Sequence, residues 1–85
     1  MLLGVLKGAD ENPARVGFVT SRKVGGAVTR NKIRRRLREI VRLFRPQLAK
    51  GNWLVIVAKP RAAKATLSEL REEWQQLAKR AGVLV

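Results

Sequence analysis

Residues 15–45, RVGFVTSRKVGGAVTRNKIRRRLREIVRLFR, decide the fold, because the spacing of apolar side chains changes once within them. Over residues 15–21 the side chains alternate between two faces, with Val16, Phe18 and Thr20 on one face and residues 17, 19 and 21 on the other. This alternation predicts a strand. Gly25 and Gly26 then interrupt the pattern. Over residues 29–45 the apolar side chains recur every three or four positions and fall on one stripe, which predicts an amphipathic helix packed on a core. The stripe comprises Ile33, Leu37, Ile40, Val41 and Phe44.

The segments on either side extend this pattern into a small sheet. Residues 53–58, WLVIVA, form an unbroken apolar run, which is typical of a strand covered on both faces. Strand, helix and strand in this order predict a βαβ unit with parallel strands. Residues 2–6 predict a further short strand, and the turn-rich residues 10–13 after it suit a hairpin loop.

A last helix is predicted after Thr66, which forms a capping box with Glu69 and has Gly82 as a C-terminal cap. One apolar stripe runs along this helix: Leu67, Leu70, Trp74, Leu77 and Ala81. The sequence therefore predicts one α/β (α+β) domain over residues 1–85, a two-layer sandwich of a small mixed sheet with helices.

The composition removes most enzyme chemistries. The 85 residues include no His and no Cys, which excludes thiol nucleophiles, disulfides and His-based triads and leaves zinc sites without their usual ligands. We expect no catalytic residue, no metal site and no cofactor on the protein. No apolar run approaches the roughly 18 residues of a membrane span, and residues 1–6 are too short for a secretory signal. We therefore expect a cytoplasmic protein without a membrane partner.

The positive charge is concentrated in one part of the chain. The net charge is +13, and residues 15–45 carry eleven bases and one acid, Glu39. A large polyanion is the expected partner, because each phosphate that Lys or Arg neutralises releases condensed counterions. The alternative is a solvated helix face, but its like-charge pairs at i,i+4 each cost roughly 0.2–0.5 kcal/mol. Contacts from Glu39 to Arg35, Arg36 and Arg42 would offset only part of this cost.

The candidate nucleic-acid contacts lie on this helix and at its entry. One arc of the helix carries Asn31, Arg34, Arg35, Arg38, Arg42 and Arg45, while Lys32 and Arg36 project elsewhere. Arginine suits bidentate contacts with phosphate. Residues 21–26, at the entry of the helix, include a hydroxyl group, two cations and flexible backbone amides that suit a second phosphate contact. The alternative is that the glycine pair in this segment only forms a turn. The predicted RNA-binding residues are Arg22, Lys23, Arg30, Asn31, Lys32, Arg34, Arg35, Arg38 and Arg42.

Two questions stay open from the residues alone. Charge does not decide between DNA and RNA, because a basic helix also enters a DNA major groove. The four aromatic residues all fit core positions, with base stacking as the alternative, chiefly for Phe18. They are Phe18, Phe44, Trp53 and Trp74.

Residues 15–39, RVGFVTSRKVGGAVTRNKIRRRLRE, closely resemble the signature of the bacterial ribonuclease P protein component. The resemblance covers most of the chain and identifies residues 30–32 with the core of the family's RNA-contacting helix. It implies the protein subunit of an endoribonuclease that removes 5′ leaders from precursor tRNA, in which the RNA subunit with bound magnesium performs the hydrolysis. The implied partners are ribonuclease P RNA and precursor tRNA. It also implies a left-handed βαβ crossover, against the general preference for right-handed ones.

Alternatives remain beside this interpretation. A ribosomal-type or other RNA-binding module without a role in tRNA processing is the first, and a DNA-binding helix is the second. Members of the family usually carry a helix and a strand before the segment that resembles residues 1–6, and this sequence shows neither. Whether this chain binds the leader is therefore an open question at this point. We expect exposed sheet surface, and with it self-association of the isolated chain.

Overall fold

The computed structural model describes residues 1–8 and 10–85 as three strands and two α-helices joined by short 3₁₀ turns. In chain order they are β1 (Leu2–Leu6), β2 (Arg15–Thr20), α1 (Ala27–Phe44), β3 (Trp53–Ala58) and α2 (Leu67–Ala81). The strands form one sheet in the order β1-β3-β2, with β1 antiparallel and β2 parallel to β3. This confirms the predicted parallel βαβ unit and the mixed α+β sheet. The hand of the crossover stays a prediction from the resemblance.

The predicted hairpin after β1 is wrong, because β1 pairs with β3 and not with β2. Leu2 lies opposite Val57 and Leu6 opposite Trp53, so the apolar strand β3 is paired on both sides. The loop before β2 is tied to the loop before β3, where Gly51 N–H donates to the Asn12 carbonyl at 2.8 Å. The turn residues after β1 favour a bend, but they do not determine which strand β1 pairs with.

The sheet has one covered and one open face. On the covered face Leu54 and Ile56 are almost completely buried in a core that both helices share. On the open face Trp53 is 49% and Val55 41% exposed. The prediction that β3 is covered on both faces is therefore wrong, since α1 and α2 both pack on the same side. A continuous apolar run does not reveal how many layers cover it.

Helix α1 begins at Ala27, two residues earlier than predicted, and Pro46 lies in the 3₁₀ turn after its end. The buried stripe matches the predicted one: Ile33, Leu37, Ile40 and Val41 are buried and Phe44 is partly buried. The opposite side of α1 is thereby left to solvent.

Helix α2 has the predicted ends. Glu69 N–H donates to Thr66 Oγ1 at 3.1 Å and Thr66 N–H donates to Glu69 Oε1 at 2.9 Å, while Gly82 is left-handed at φ 69°. The hydrogen bond from the Thr66 backbone N–H lowers the pKa of the Glu69 carboxyl, and the Thr66 side chain lowers it further. Trp74 is fully buried as predicted, whereas Leu67 in the first turn is half exposed. Ala78, which was not part of the predicted stripe, is also buried.

Candidate RNA interface

The predicted contact residues on α1 lie together on the side of the helix that faces away from the core. We call five of them the basic face: Asn31, Arg34, Arg35, Arg38 and Arg42. Arg34 is partly buried and the other four are exposed. Arg30, which is partly buried, and Lys32, which is exposed, flank this face on its two sides. The helix therefore presents its cations as one continuous surface, as the periodicity predicted.

Carboxylates of the same chain barely neutralise this surface. Glu39 pairs with Arg42 at 2.9 Å, and both side chains are largely exposed. In residues 1–8 and 10–85 no Asp or Glu forms an ion pair with Arg34, Arg35 or Arg38. The predicted contacts of Glu39 with Arg35 and Arg36 are therefore wrong. Exposed ion pairs contribute little, so the basic face keeps most of its repulsion in the free protein.

Three arginines, one in the basic face and two outside it, have hydrogen-bond partners within the chain. Arg34 donates a short hydrogen bond to the Asn31 side-chain oxygen, one turn earlier on the helix. Arg36 projects away from the basic face and donates to the Ala65 carbonyl at 3.4 Å. Arg45, at the end of the predicted arc, donates to the Ala14 carbonyl at 2.5 Å. Arg36 and Arg45 thus hold loops on α1.

The segment before α1 places two further predicted residues at the helix entry. Arg22 and Lys23 are exposed on a 3₁₀ turn, whose last residue, Val24, is buried. Gly25 has φ 150°, and a Cβ there would come within 3.0 Å of the Thr29 side chain, so the turn requires glycine at this position. Gly25 thus has a structural role in the turn, while phosphate binding by this segment, Arg22 and Lys23 included, stays a prediction.

A groove beside the basic face was not predicted from the sequence. It encloses about 370 Å³ between β2 and α1, and Phe18 contributes to its floor. The Arg38 guanidinium carbon stands 5.9 Å from the centre of the Phe18 ring. The lining residues are Val16, Phe18, Arg38, Val41, Arg42 and Arg45. The sequence lists these residues, but it does not predict the distance between β2 and α1 that opens the groove.

The open sheet face is a second exposed surface, which the resemblance to the family implied and the apolar pattern of β3 did not. Trp53, expected in the core, lies here with the Arg15 guanidinium 4.7 Å above its ring, within cation–π range. Leu2, Val19 and Val55 are exposed on the same face. The surface therefore combines an aromatic ring, a cation and apolar side chains.

Residues 1–8 and 10–85 hold no cluster of three or more Asp, Glu, His or Cys arranged to bind a metal ion. No α-helix in these residues is both long and apolar enough to span a bilayer.

Sequence comparisons relate this chain to one protein family. The family model described as Ribonuclease P matches residues 1–82. A ribonuclease P protein component of Symbiobacterium thermophilum is 45% identical over 80 residues, which cover 94% of this chain and 70% of the relative. One from a Roseiflexus strain is 50% identical over 72 residues, covering 84% of this chain and 59% of the relative. The chain therefore spans between 59% and 70% of the length of these two relatives.

Solved structures agree with the sequence comparisons. The RNase P protein of Staphylococcus aureus superposes with a TM-score of 0.86 at 24% identity, covering 98% of this chain and 75% of that one. The RNase P protein of Thermotoga maritima gives 0.80 at 29% identity, covering 92% and 74%. These structures share the small mixed sheet with helices, which confirms the predicted fold class.

Proposed function

Because the chain belongs to the family of bacterial ribonuclease P protein components, we propose that it binds ribonuclease P RNA and assists removal of 5′ leaders from precursor tRNA. The observation that carries this proposal is the basic face of α1, where Arg34, Arg35 and Arg38 lack a carboxylate partner among the described residues. An RNA backbone supplies the missing negative charge.

The gain on binding has two physical sources. Phosphates relieve the repulsion between cations at i,i+4, which costs roughly 0.2–0.5 kcal/mol per pair in the free helix. Neutralised phosphates also release condensed counterions, so the affinity falls with added salt. Arg22, Lys23, Arg30 and Lys32 extend the interface along the RNA backbone on either side of the basic face.

The protein acts here as a non-catalytic subunit. Its sequence provides no His or Cys for proton transfer or nucleophilic attack. Magnesium belongs to the RNA subunit of the holoenzyme, where it supports hydrolysis of the leader bond. We expect no magnesium site on the protein itself. Since its RNA partner works in the cytoplasm, we expect the protein there.

Contact with precursor tRNA is assigned to the open sheet face. A single-stranded leader stacks well on an exposed aromatic ring beside a cation, and Trp53 with Arg15 offers that combination. The test compares holoenzyme affinities for precursor and mature tRNA. We expect Trp53→Leu to reduce the preference for precursor tRNA and to leave the affinity for mature tRNA unchanged. An unchanged preference would place the leader elsewhere.

Self-association of the isolated chain is a further part of the proposal. In the described chain β1 and β2 each leave one edge unpaired, and apolar side chains are exposed between them. The net charge of +13 opposes close approach of two copies, so we expect dimers only at high protein and salt concentrations. Light scattering over a wide range of both concentrations tests this, and a monomer throughout would reject it.

Reconstitution with a bacterial ribonuclease P RNA at low magnesium tests the function itself. We expect the protein to stimulate cleavage of precursor tRNA, and the double variant Arg35→Ala with Arg38→Ala to lose this stimulation. Arg71→Ala, an exposed arginine of α2, is the matched control and should stimulate like the parent. RNA binding without stimulation would instead favour an RNA-binding module outside tRNA processing.

A further inference from the structure

The groove between β2 and α1 suits a different ligand group from the phosphates expected on the basic face. We propose that it receives one unpaired nucleobase of ribonuclease P RNA, stacked against Phe18. This inference rests on the proposed RNA binding and adds recognition of a base to recognition of the backbone. We assign the base to the RNA subunit because the groove shares Arg38 and Arg42 with the basic face. The leader of precursor tRNA is assigned to Trp53, which lies on the opposite side of the sheet.

The lining of the groove separates an apolar floor from a charged rim. Val16, Phe18 and Val41 supply apolar surface, and Phe18 is the only aromatic side chain among the lining residues. Arginines 38, 42 and 45 supply the rim. The groove is open to solvent, and its volume of about 370 Å³ lies at the small end of the range for ligand sites, which suits a single base with its ribose.

Arg38 is loosely held above the ring. Its guanidinium carbon is 5.9 Å from the Phe18 ring centre, near the outer limit of about 6 Å for cation–π attraction. No carboxylate in the described residues pairs with Arg38. Arg38 therefore gives up little attraction when it turns to the phosphate of an incoming nucleotide and leaves the ring face to the base.

Backbone groups along the free edge of β2 provide hydrogen bonds for a base. Arg15 N–H donates to the Asn52 carbonyl at 2.9 Å, so Arg15 turns its backbone groups towards β3. In a parallel ladder alternate residues face opposite edges, which directs the amide and carbonyl groups of Val16 and Phe18 outward. The Ala14 carbonyl, two residues before Val16, follows the same direction and accepts from Arg45 on the outer side.

These features favour a nucleobase over an acidic peptide. A carboxylate side chain would satisfy the rim arginines but would leave the phenyl ring and the two valines without an apolar partner. A base covers the ring, reaches the edge groups of Val16 and Phe18, and carries a phosphate to the rim. Aromatic stacking and edge hydrogen bonds are the usual means of holding an unpaired base of RNA.

Phe18→Leu tests the inference, since leucine keeps apolar bulk beneath α1 and removes the aromatic face. We expect its affinity for ribonuclease P RNA to fall by at least about fivefold, the lower end of the contribution from base stacking. The dependence of affinity on salt should stay unchanged, because the variant keeps every cation that binds phosphate. Base-specific chemical probing of the complex should show one unpaired base that is protected by the parent protein and reactive with Phe18→Leu.

Two variants distinguish stacking from packing. Phe18→Tyr keeps an aromatic face and should restore both the affinity and the protected base. Phe44→Leu makes the same change at the other partly buried phenylalanine, outside the groove, and should protect the same base as the parent. Thermal unfolding of each variant establishes that it is folded at the temperature of the assay.

Three results would overturn the inference while leaving the proposed function standing. The first is that Phe18→Leu protects the same bases as the parent. The second is that Phe18→Leu and Phe18→Tyr lose equal affinity for the RNA. The third is that an acidic hexapeptide abolishes protection of the base at the same concentration as poly-uridylate. Failure of the parent protein to bind ribonuclease P RNA would instead contradict the proposed function.

Discussion

Helices α1 and α2 use charge in opposite ways. In α2 a glutamate lies in the first turn and Lys79 and Arg80 in the last, which complements the helix dipole, and Thr66 caps the first turn. In α1 the first turn has no acid and no side-chain cap, and one carboxylate faces a row of arginines. The charges of α2 thus stabilise the helix that carries them, whereas those of α1 repel one another in the free helix and suit the RNA partner that we propose.

Reversing one charge in the basic face should give the largest effect. Arg34→Glu places a carboxylate at i,i+4 from both Arg30 and Arg38, which converts two repulsive pairs into attractive ones. We expect the free energy of unfolding to rise by about 1–2 kcal/mol. Affinity for ribonuclease P RNA should fall at least about tenfold, since repulsion of a phosphate replaces attraction to it.

Urea unfolding and RNA titration of this one variant measure the two effects. Arg71→Glu in α2 makes the same change of charge outside the basic face and should leave RNA affinity close to that of the parent. If Arg34→Glu weakened both stability and binding, the arginines of α1 would be serving the fold, and the contrast between the helices would fail.

Removing the cap of α2 should give the opposite combination. Thr66→Ala loses the hydrogen bond from Glu69 N–H, which costs about 1 kcal/mol of unfolding free energy. RNA affinity should not change under conditions in which the variant is folded. Thr66→Ser, which keeps the hydroxyl, is the control and should recover most of the stability. A loss of RNA affinity in the folded alanine variant would give α2 a part in binding.

The smallest expected effect is the pH dependence of the same cap. The pKa of Glu69 is lowered by its hydrogen bonds with Thr66, so the stabilisation is complete above the usual value of 4.5 and is lost as the pH falls through the folded-state pKa. We expect the parent to lose more stability than Glu69→Gln over this acid range. Unfolding curves of the parent and of Glu69→Gln at several pH values measure this difference. Equal losses of stability in the two proteins would show that the ionised carboxylate does not stabilise the fold.

The sequence predicted those parts of the fold that depend on local patterns. The apolar stripe of α1 and the capping box of α2 are confirmed, because periodicity and hydrogen-bonding side chains act within one element. The parallel pairing of β2 with β3 is confirmed as well, because the order strand, helix, strand along the chain favours it. The partner of β1 and the exposure of Trp53 depend on how separate elements meet. Local turn residues and hydrophobicity carry no information about that.

The candidate site divides in the same way. The side of α1 on which the arginines lie follows from helical spacing and was predicted. The partners of Arg36 and Arg45 were not, because each donates to a carbonyl of a distant loop, at Ala65 and Ala14. The groove over Phe18 was also missed, since its existence depends on the distance between a strand edge and a helix.

The salt dependence of binding to ribonuclease P RNA tests the central claim most directly, namely that the basic face of α1 is neutralised by RNA phosphates. The logarithm of the association constant falls linearly with the logarithm of salt concentration. For Arg34→Ala and for Arg38→Ala we predict slopes shallower than that of the parent by about 0.7–0.9 for each phosphate that is no longer neutralised. Arg71→Ala should keep the parent's slope. Unchanged slopes in both α1 variants would contradict the account.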